Sequence, residues 1–518
     1  MVVSSYWPSQ APYEEIPVYE LLRRTAATQG GKTGVIGADG STRTYERIWS
    51  DARKVAHLLQ DNGVVKGETV GIFSPNHIDF PAVFFGSLLA GATVTTLNPL
   101  YTPHEIEHQL VDAKAVILFA FSFMRPAAEE ARKNLPLVRN IFTIDALPDV
   151  LEGVSEEYRP VTINPREDIA ALPYSSGTTG LPKGVMLTHY NITCDVKQGH
   201  ATREIPSDMV GLWLLPLFHI YGMTVLMSSG IATANTGVVM LRFDVEQMMQ
   251  LIEKHRITDL YLAPPAILAM VNLPDPSRYD ASSLRLISSG AAPLALELAE
   301  RAKAMFKCIV TQGYGMTETS PTVNTQPFDK IKIESVGPPF PDTLEKIVSL
   351  DSGEELPTGG VGELMVKGPQ VMKGYWNNPK ETADCLTPDG WLHTGDIARF
   401  DEDGYLYLIE RKKEMIKYKG YQVAPAELEA LLYEHPAVLD AAVIPKPDEA
   451  GGEIPKACVV LRPEKQASAE ELMTFIAGKV APYKKIREVE FMDAIPKTLS
   501  GKILRRDLIQ REKERLAK

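Results

Sequence analysis

Residues Tyr174-Ser-Ser-Gly-Thr-Thr-Gly-Leu-Pro-Lys183-Gly carry the densest chemical potential in the chain. Gly177 and Gly180 let the backbone approach an anion closely, and Ser175, Ser176, Thr178 and Thr179 add hydroxyl donors. Lys183 contributes a mobile point charge suited to a phosphate. Ile169–Tyr174 before the loop reads as a short buried strand, and Val185–Thr188 after it as another. The segment is therefore strand–loop–strand, and it lacks the G-x-x-x-x-G-K-[ST] spacing of a Walker loop.

A Ser/Gly loop alone is commonly just a turn, so other parts of the chain must complete the chemistry. Trp213-Leu-Leu-Pro-Leu-Phe-His219-Ile-Tyr221 places one histidine in apolar surroundings. Leu284-Arg-Leu-Ile-Ser288-Ser-Gly290-Ala291-Ala292-Pro293 is a strand ending in small residues, followed by a helix expected over Leu294–Phe306. Its small-walled backbone offers a flat surface to a purine. Gln312-Gly313-Tyr314-Gly315-Met-Thr317-Glu318 joins an aromatic face, a hydroxyl and a hard carboxylate suited to Mg²⁺ between phosphates. Gly390-Trp-Leu-His-Thr-Gly-Asp396 presents an acceptor for a ribose diol.

Together these segments resemble the adenylate-forming superfamily of acyl-CoA synthetases, coumarate–CoA ligases, luciferases and peptide-synthetase adenylation domains. The resemblance spans the chain from about Val18 to Arg506. It implies ATP, Mg²⁺ and coenzyme A. Thr178, Thr179 and Lys183 would hold phosphates, Thr317 the α-phosphate, and Glu318 the metal. Asp396 and Arg411 would contact the ribose, and Gln422 the nucleotide. The Arg411–Gly420 segment resembles the family's hinge pattern, R-x-[DK]-x-x-I-K-x-x-G. It makes Lys413 the hinge, with Lys417 and Gly420 on the thioester-forming face. Pro496-Lys-Thr-Leu-Ser-Gly-Lys502 resembles the family's last motif, with Lys502 as the adenylation lysine. His219 becomes a gate and orienter of the acyl group, whose pocket draws on Tyr221, Ser288, Pro321 and Val323.

The supporting elements read as α/β. Apolar spacing predicts a helix over Thr44–Leu59, then alternating strands and helices through Ile144, implying parallel sheets covered by helices. The resemblance completes this as a large αβαβα body with a β-subdomain over residues 1–410, and a small mobile α+β lid over residues 411–518. Pro425 opens a lid helix at its favoured first position, and Ser468-Ala-Glu-Glu471 caps another.

At 518 residues the chain exceeds one core, and 44% apolar with 23% charged residues is globular composition. A net charge of −12 argues against nucleic acid. Four scattered cysteines exclude a disulfide framework and fit a reducing compartment, hence a cytoplasmic expectation. The uncharged run Leu212–Leu241 is long enough for a bilayer, but its proline, histidine and glycines favour strands and turns, so no transmembrane segment is expected.

The resulting expectation is an AMP-forming acyl-CoA ligase of medium- to long-chain fatty acids, with aryl acids such as coumarate next. Gly362-Glu-Leu-Met-Val-Lys-Gly368 departs from the cysteine-containing sequence of plant coumarate–CoA ligases and weighs against a phenylpropanoid. A luciferase-like oxygenase, a carrier-loading adenylating module and a non-catalytic binding protein are the alternatives. Amino acids are disfavoured because no aspartate neighbours His219. A homodimer is compatible with the resemblance. So is silencing by a lysine acetyltransferase acting on Lys502, which would remove the charge needed for the first step.

Overall fold

The computed structural model describes the chain apart from residues 176–181, 292–293, 295, 351, 412–415, 420, 424, 449–451, 497–504 and 517–518. At residues 265, 409–411, 422, 426, 430, 433 and 506 it describes the backbone alone. The expected roles of Thr178, Thr179, Ala292, Pro293, Lys413, Gly420 and Lys502 thus fall outside the described residues. Backbone proximity divides the chain into two units. One comprises Met1–Pro99, Leu110–Tyr174 and Gly184–Glu410; the other comprises Leu100–Gln109, Ser175–Lys183 and Arg411–Lys518.

The first unit contains two large sheets. Thr69–Phe73 is buried at every position and lies between the parallel strands Thr93–Leu97 and Ala115–Ala120. A strand covered on both faces must be apolar throughout, which is why this region does not alternate. The helix Tyr45–Asp61 starts where the Thr44 side chain accepts the Arg47 amide, and it buries Ile48, Ala52, Val55 and Leu59. These face the helix Phe80–Leu89, itself buried on all sides.

The second sheet runs in the order Ile309–Gln312, Leu286–Ser289, Asp259–Leu262, Val210–Trp213, Thr236–Val239, Thr33–Ile36 and Thr42–Thr44. All neighbours are parallel except the last pair. Ser288, Gly290, Gln312 and Gly313 therefore collect at the carboxyl ends of adjacent parallel strands, where open α/β sheets place their ligands. An antiparallel sheet of Val2–Val3, Leu344–Val348, Gly362–Lys367, Leu392–Phe400 and Leu406–Arg411 carries Asp396. The Asp401 carboxylate accepts the amides of Asp403 and Tyr405 at 3.0 and 2.9 Å and makes the expected turn before the last strand.

Within the second unit, Tyr421–Val423, Ile416–Tyr418, Gly452–Leu461 and Val438–Asp448 form one sheet, with Glu488–Phe491 joined parallel to Gly452–Leu461. Helices Pro425–Tyr433, Ala469–Ala477 and Arg505–Leu516 belong to the same unit, and Ser468 accepts the Glu471 amide as the capping pattern requires. Lys484, only 4% exposed, lies 3.1 Å from Glu105 and 2.9 Å from Glu427. Two carboxylates around one buried ammonium offset a desolvation cost that an unpaired lysine could not sustain.

The run Leu212–Leu241 corrects the sequence reading. Its two strands are separated by helical segments Tyr221–Ser228 and Ser229–Ala232, where strands and turns had been expected. Tyr221–Ser228 is a wide π-type helix with no simple amphipathic period, so periodicity misses it. Among the described residues, no helix is long and apolar enough to cross a membrane.

Candidate active site

Asn76 fixes the approach to His219. Its amide donates to the carbonyls of Trp213 and Leu215 at 2.8 and 3.0 Å, while its oxygen accepts the Leu217 amide at 2.7 Å. The Thr96 hydroxyl adds a bond of 2.5 Å to the Phe218 carbonyl. A loop that would otherwise bury unpaired backbone groups is satisfied by side chains more than a hundred residues away in sequence. Neither Asn76 nor Thr96 was legible as a site support.

His219 keeps accessible surface, yet protein surrounds it closely enough that burial lowers its imidazole to about 4. Both are true of a side chain lining a recess: a water-sized probe reaches it, while bulk solvent does not stabilise its charge. The Tyr221 amide donates to Nδ1 at 3.3 Å, so the proton of the neutral ring resides on Nε2. His219 can donate a hydrogen bond into the recess and is not charged at neutral pH.

Tyr221 lies against Gly290. A Cβ at Gly290 would stand 2.7 Å from the Tyr221 ring, so only glycine admits the aromatic wall. The space opened by Gly290 is therefore filled on the Tyr221 side by that ring. Ser288 faces the Tyr221 hydroxyl. Ala291 has left-handed backbone, φ 67°, and stands exposed beyond the strand end. Pro321 and Val323 are buried in the neighbouring hairpin, with Val323 in the strand Thr322–Asn324.

The polar motif is folded around that hairpin. Tyr314–Gly315 pairs with Thr322–Asn324, and a Cβ at Gly315 would meet the Pro321 carbonyl at 2.2 Å. Between these strands, Thr317–Thr319 makes one 3₁₀ turn. Glu318 is 6% exposed, and its Oε1 accepts the Tyr375 hydroxyl at 2.8 Å. Burial first, and the Glu318 charge second, raise the Tyr375 phenol, so it stays a donor. The Tyr314 hydroxyl donates to Asp396 Oδ2 at 2.6 Å, joining the two expected nucleotide residues across 82 positions. Gln312 is held by the Leu294 amide at 3.0 Å and by the Ile333 carbonyl, a structural use of that side chain; Gly313 follows it at the strand end.

Glu318 fits Mg²⁺ as a single buried hard carboxylate whose other ligands would be phosphate oxygens and water. Among the described residues, no cluster of three or more His, Cys, Asp or Glu could hold a metal unaided.

The basic candidates belong to the second unit. Lys183 opens the strand Lys183–Thr188. Lys417 is exposed, its amide donating to Glu453 at 2.7 Å, and is registered opposite Gln422. The Arg487 guanidinium stacks 3.7 Å over Tyr418, and Tyr421 stacks on Tyr483 at 4.3 Å, so aromatic contacts stiffen the hairpin that displays Lys417. Arg411 ends the strand Leu406–Arg411.

The departure at Gly362–Gly368 also has a structural reading. Met365 is 5% exposed and packs with Val348, Trp391 and Leu344. It is a core residue of the antiparallel sheet, so exchanging it for cysteine bears on packing and says little about substrate.

Comparison with known proteins places these features in a family. The AMP-binding enzyme profile matches residues 22–376, and the AMP-binding enzyme C-terminal domain matches residues 427–502. A 4-coumarate–CoA ligase of Pinus taeda is 42% identical over 495 residues, covering 92% of this chain and 91% of that protein. The peroxisomal OPC-8:0-CoA ligase 1 of Arabidopsis thaliana is 39% identical over 496 residues, covering 93% and 90%. Among solved structures, o-succinylbenzoate CoA synthetase from Bacillus subtilis superposes with a TM-score of 0.83 at 28% identity, covering 96% and 99%. A long-chain-fatty-acid–CoA ligase from Archaeoglobus fulgidus gives 0.81 at 30% identity, covering 95% and 100%. The relatives favour the aryl-acid alternative over the fatty-acid expectation. The chain belongs to the adenylate-forming, AMP-binding enzyme family and is an acyl-CoA ligase that uses ATP and coenzyme A.

Proposed function

We propose that this ligase activates aryl or aryl-propenoic acids of the coumarate type. What carries the reading is identity near 40% with 4-coumarate–CoA ligases over nine-tenths of the chain. The Tyr221 ring packed against Gly290 supports it, because an aromatic wall beside small backbone suits a planar acyl group.

A carboxylate is a poor electrophile, since its leaving group would be oxide. Its oxygen attacks the α-phosphorus of ATP, the bond to the bridging oxygen breaks, and pyrophosphate departs with the electron pair. The thiol of coenzyme A then attacks the acyl carbon, loses its proton, and AMP leaves. In this reading Tyr314 and Asp396 hold the nucleoside, and Thr317 donates to the α-phosphate. Glu318 would hold Mg²⁺, which when bound neutralises phosphate charge. His219 orients the acyl carboxylate through Nε2–H. Lys183 serves the outer phosphates, with Arg411 and Gln422 completing the nucleotide contacts. Lys502 serves the first step, and Lys417 with Gly420 serves the second after residues 411–518 turn about Lys413 as a lid. Acetylation of Lys502 would stop the first step alone. All four cysteines are free, as a reducing compartment such as the cytoplasm allows.

A pyrophosphate-release assay over a panel of acids tests the proposal. Cinnamate-type acids are expected to give the highest kcat/KM. Turnover confined to saturated fatty acids would overturn it.

A further inference from the structure

The single turn Thr317–Thr319 that carries Glu318 cannot hold its own shape. It ends at Ser320, whose backbone is left-handed, φ 70°, a conformation that is costly for a residue with a side chain. Bonds from outside the turn must keep it there. The Ser320 hydroxyl donates to the Gln370 carbonyl at 2.9 Å, and the Glu318 carbonyl accepts the Met372 amide at 2.8 Å. Past the turn, the Thr322 amide donates to the Asp195 carboxyl at 2.8 Å, and the Thr322 carbonyl accepts the Gln370 side chain at 3.3 Å.

Asp195 lies on the helix His189–Ala201, which grips the chain on both sides of Glu318. Asn191, Asp195 and Gln198 stand at positions i, i+4 and i+7, on one face of that helix, and all three are buried. An amphipathic helix would bury apolar residues along such a stripe; this one buries hydrogen-bonding groups, which are costly there unless paired. The Asn191 amide donates to the carbonyls of Pro369 and Val371 at 2.8 and 2.9 Å, while its oxygen accepts the Thr188 amide at 3.0 Å. Gln198 donates to the Thr343 hydroxyl at 3.2 Å and to the Gln370 side-chain oxygen at 3.3 Å. Asp195 therefore fixes the strand that leaves the turn. Asn191 fixes the segment whose Met372 amide and Tyr375 hydroxyl bind Glu318. Burial pushes the Asp195 carboxyl well above the usual carboxylate range, against the opposing effect of its bond to Thr322, so it serves as a neutral acceptor.

We propose that Asp195 and Asn191 are positioning residues that hold the Glu318 carboxylate in place for Mg²⁺. They act through the backbone of Thr322 and of Pro369 and Val371. This deepens the reading of Glu318 as the protein's ligand to the metal and rests on it. Groups that orient a metal ligand change metal affinity far more than they change the binding of a substrate held elsewhere.

The test measures the affinity of the full-length enzyme for α,β-methylene-ATP by titration calorimetry, with and without Mn²⁺ as the metal probe, and the KM for the acid alongside. Asp195→Ala is expected to cut the gain in affinity that Mn²⁺ confers by about tenfold, with the acid KM within about twofold of native. Asp195→Asn keeps a neutral acceptor and should retain most of that gain. A native gain in Asp195→Ala, an equal rise in the acid KM, or an Asp195→Asn as impaired as the alanine variant overturns the proposal. Glu318→Gln is the reference. If it loses the gain and Asp195→Ala does not, the proposal alone falls; if Glu318→Gln keeps the gain, the reading of Glu318 falls and takes the proposal with it. Should Asp195→Ala fail to fold by its melting curve, Asn191→Ala takes its place. Its gain is expected to drop about threefold or more, and an unaltered gain overturns the assignment.

Discussion

In the proposed site, the nucleotide side and the acyl side are built in opposite ways. On the nucleotide side, Tyr314, Thr317 and Glu318 stand within five consecutive positions, and a tight hairpin with one 3₁₀ turn displays them. On the acyl side, Asn76, His219 and Ser288 come from three separate elements. Phosphates and ribose are common to every member of such a family, so one contiguous polar segment suffices. An acyl group is enclosed on all sides, and its walls must come from wherever the sheet and its helices converge.

Breaking the nucleotide side should give the largest effect. Glu318→Gln removes a charge while preserving shape, and a loss of about 10²–10³ in pyrophosphate release is expected. A loss below tenfold would remove Glu318 from the reaction. Tyr314→Phe deletes one hydrogen bond to a carboxylate, worth about 1.5–3 kcal/mol, so the KM for ATP should rise roughly tenfold or more. An equal rise in the KM for the acid would show that the two sides are not separable.

On the acyl side, Asn76→Ala orphans the Trp213 and Leu215 carbonyls and the Leu217 amide. A stability loss of about 1–3 kcal/mol is expected, with KM rising for the acid more than for ATP. Denaturant melts and paired KM measurements check this; a selective rise for ATP would reverse the assignment.

A third buried group sharpens the contrast, because burial alone does not make a site. Glu345 is wholly buried, with Asn324 donating to it at 3.1 Å, and burial raises its carboxyl to about 8. Its raised folded pKa means that stability is full below pH 4.5 and declines as pH climbs towards 8, by up to ~1.4 kcal/mol per unit. Glu345→Gln should abolish that slope without changing the ratio of KM values. A slope unchanged in the variant would refute the assignment.

The smallest effect is expected at His219. Because its imidazole is lowered to about 4, it is neutral from pH 6 to 8, and kcat/KM should show no inflection from it near 6.5. Its stability contribution is full above 6.5 and lost as pH falls through about 4. Comparing pH profiles of the native enzyme and His219→Asn decides whether an inflection near 6.5 belongs to this ring.

The sequence alone determined the elements whose signals are local. Thr44, Ser468 and Pro425 mark helix starts through hydrogen bonds and φ constraints that span three or four residues, and each starts a helix here. Tyr314, Glu318 and Asp396 were legible as candidate nucleotide residues because their chemistry stands out from their neighbours. Tertiary structure alone joined Tyr314 to Asp396, filled the space at Gly290 with Tyr221, and turned Met365 into a core residue. It also bonded Asp195 to the Thr322 amide. The physical reason is range: capping, turn formation and periodicity act within a few residues, whereas a pocket wall depends on which strands are neighbours. That adjacency is set by burial of the whole sheet, and no short stretch of sequence contains it.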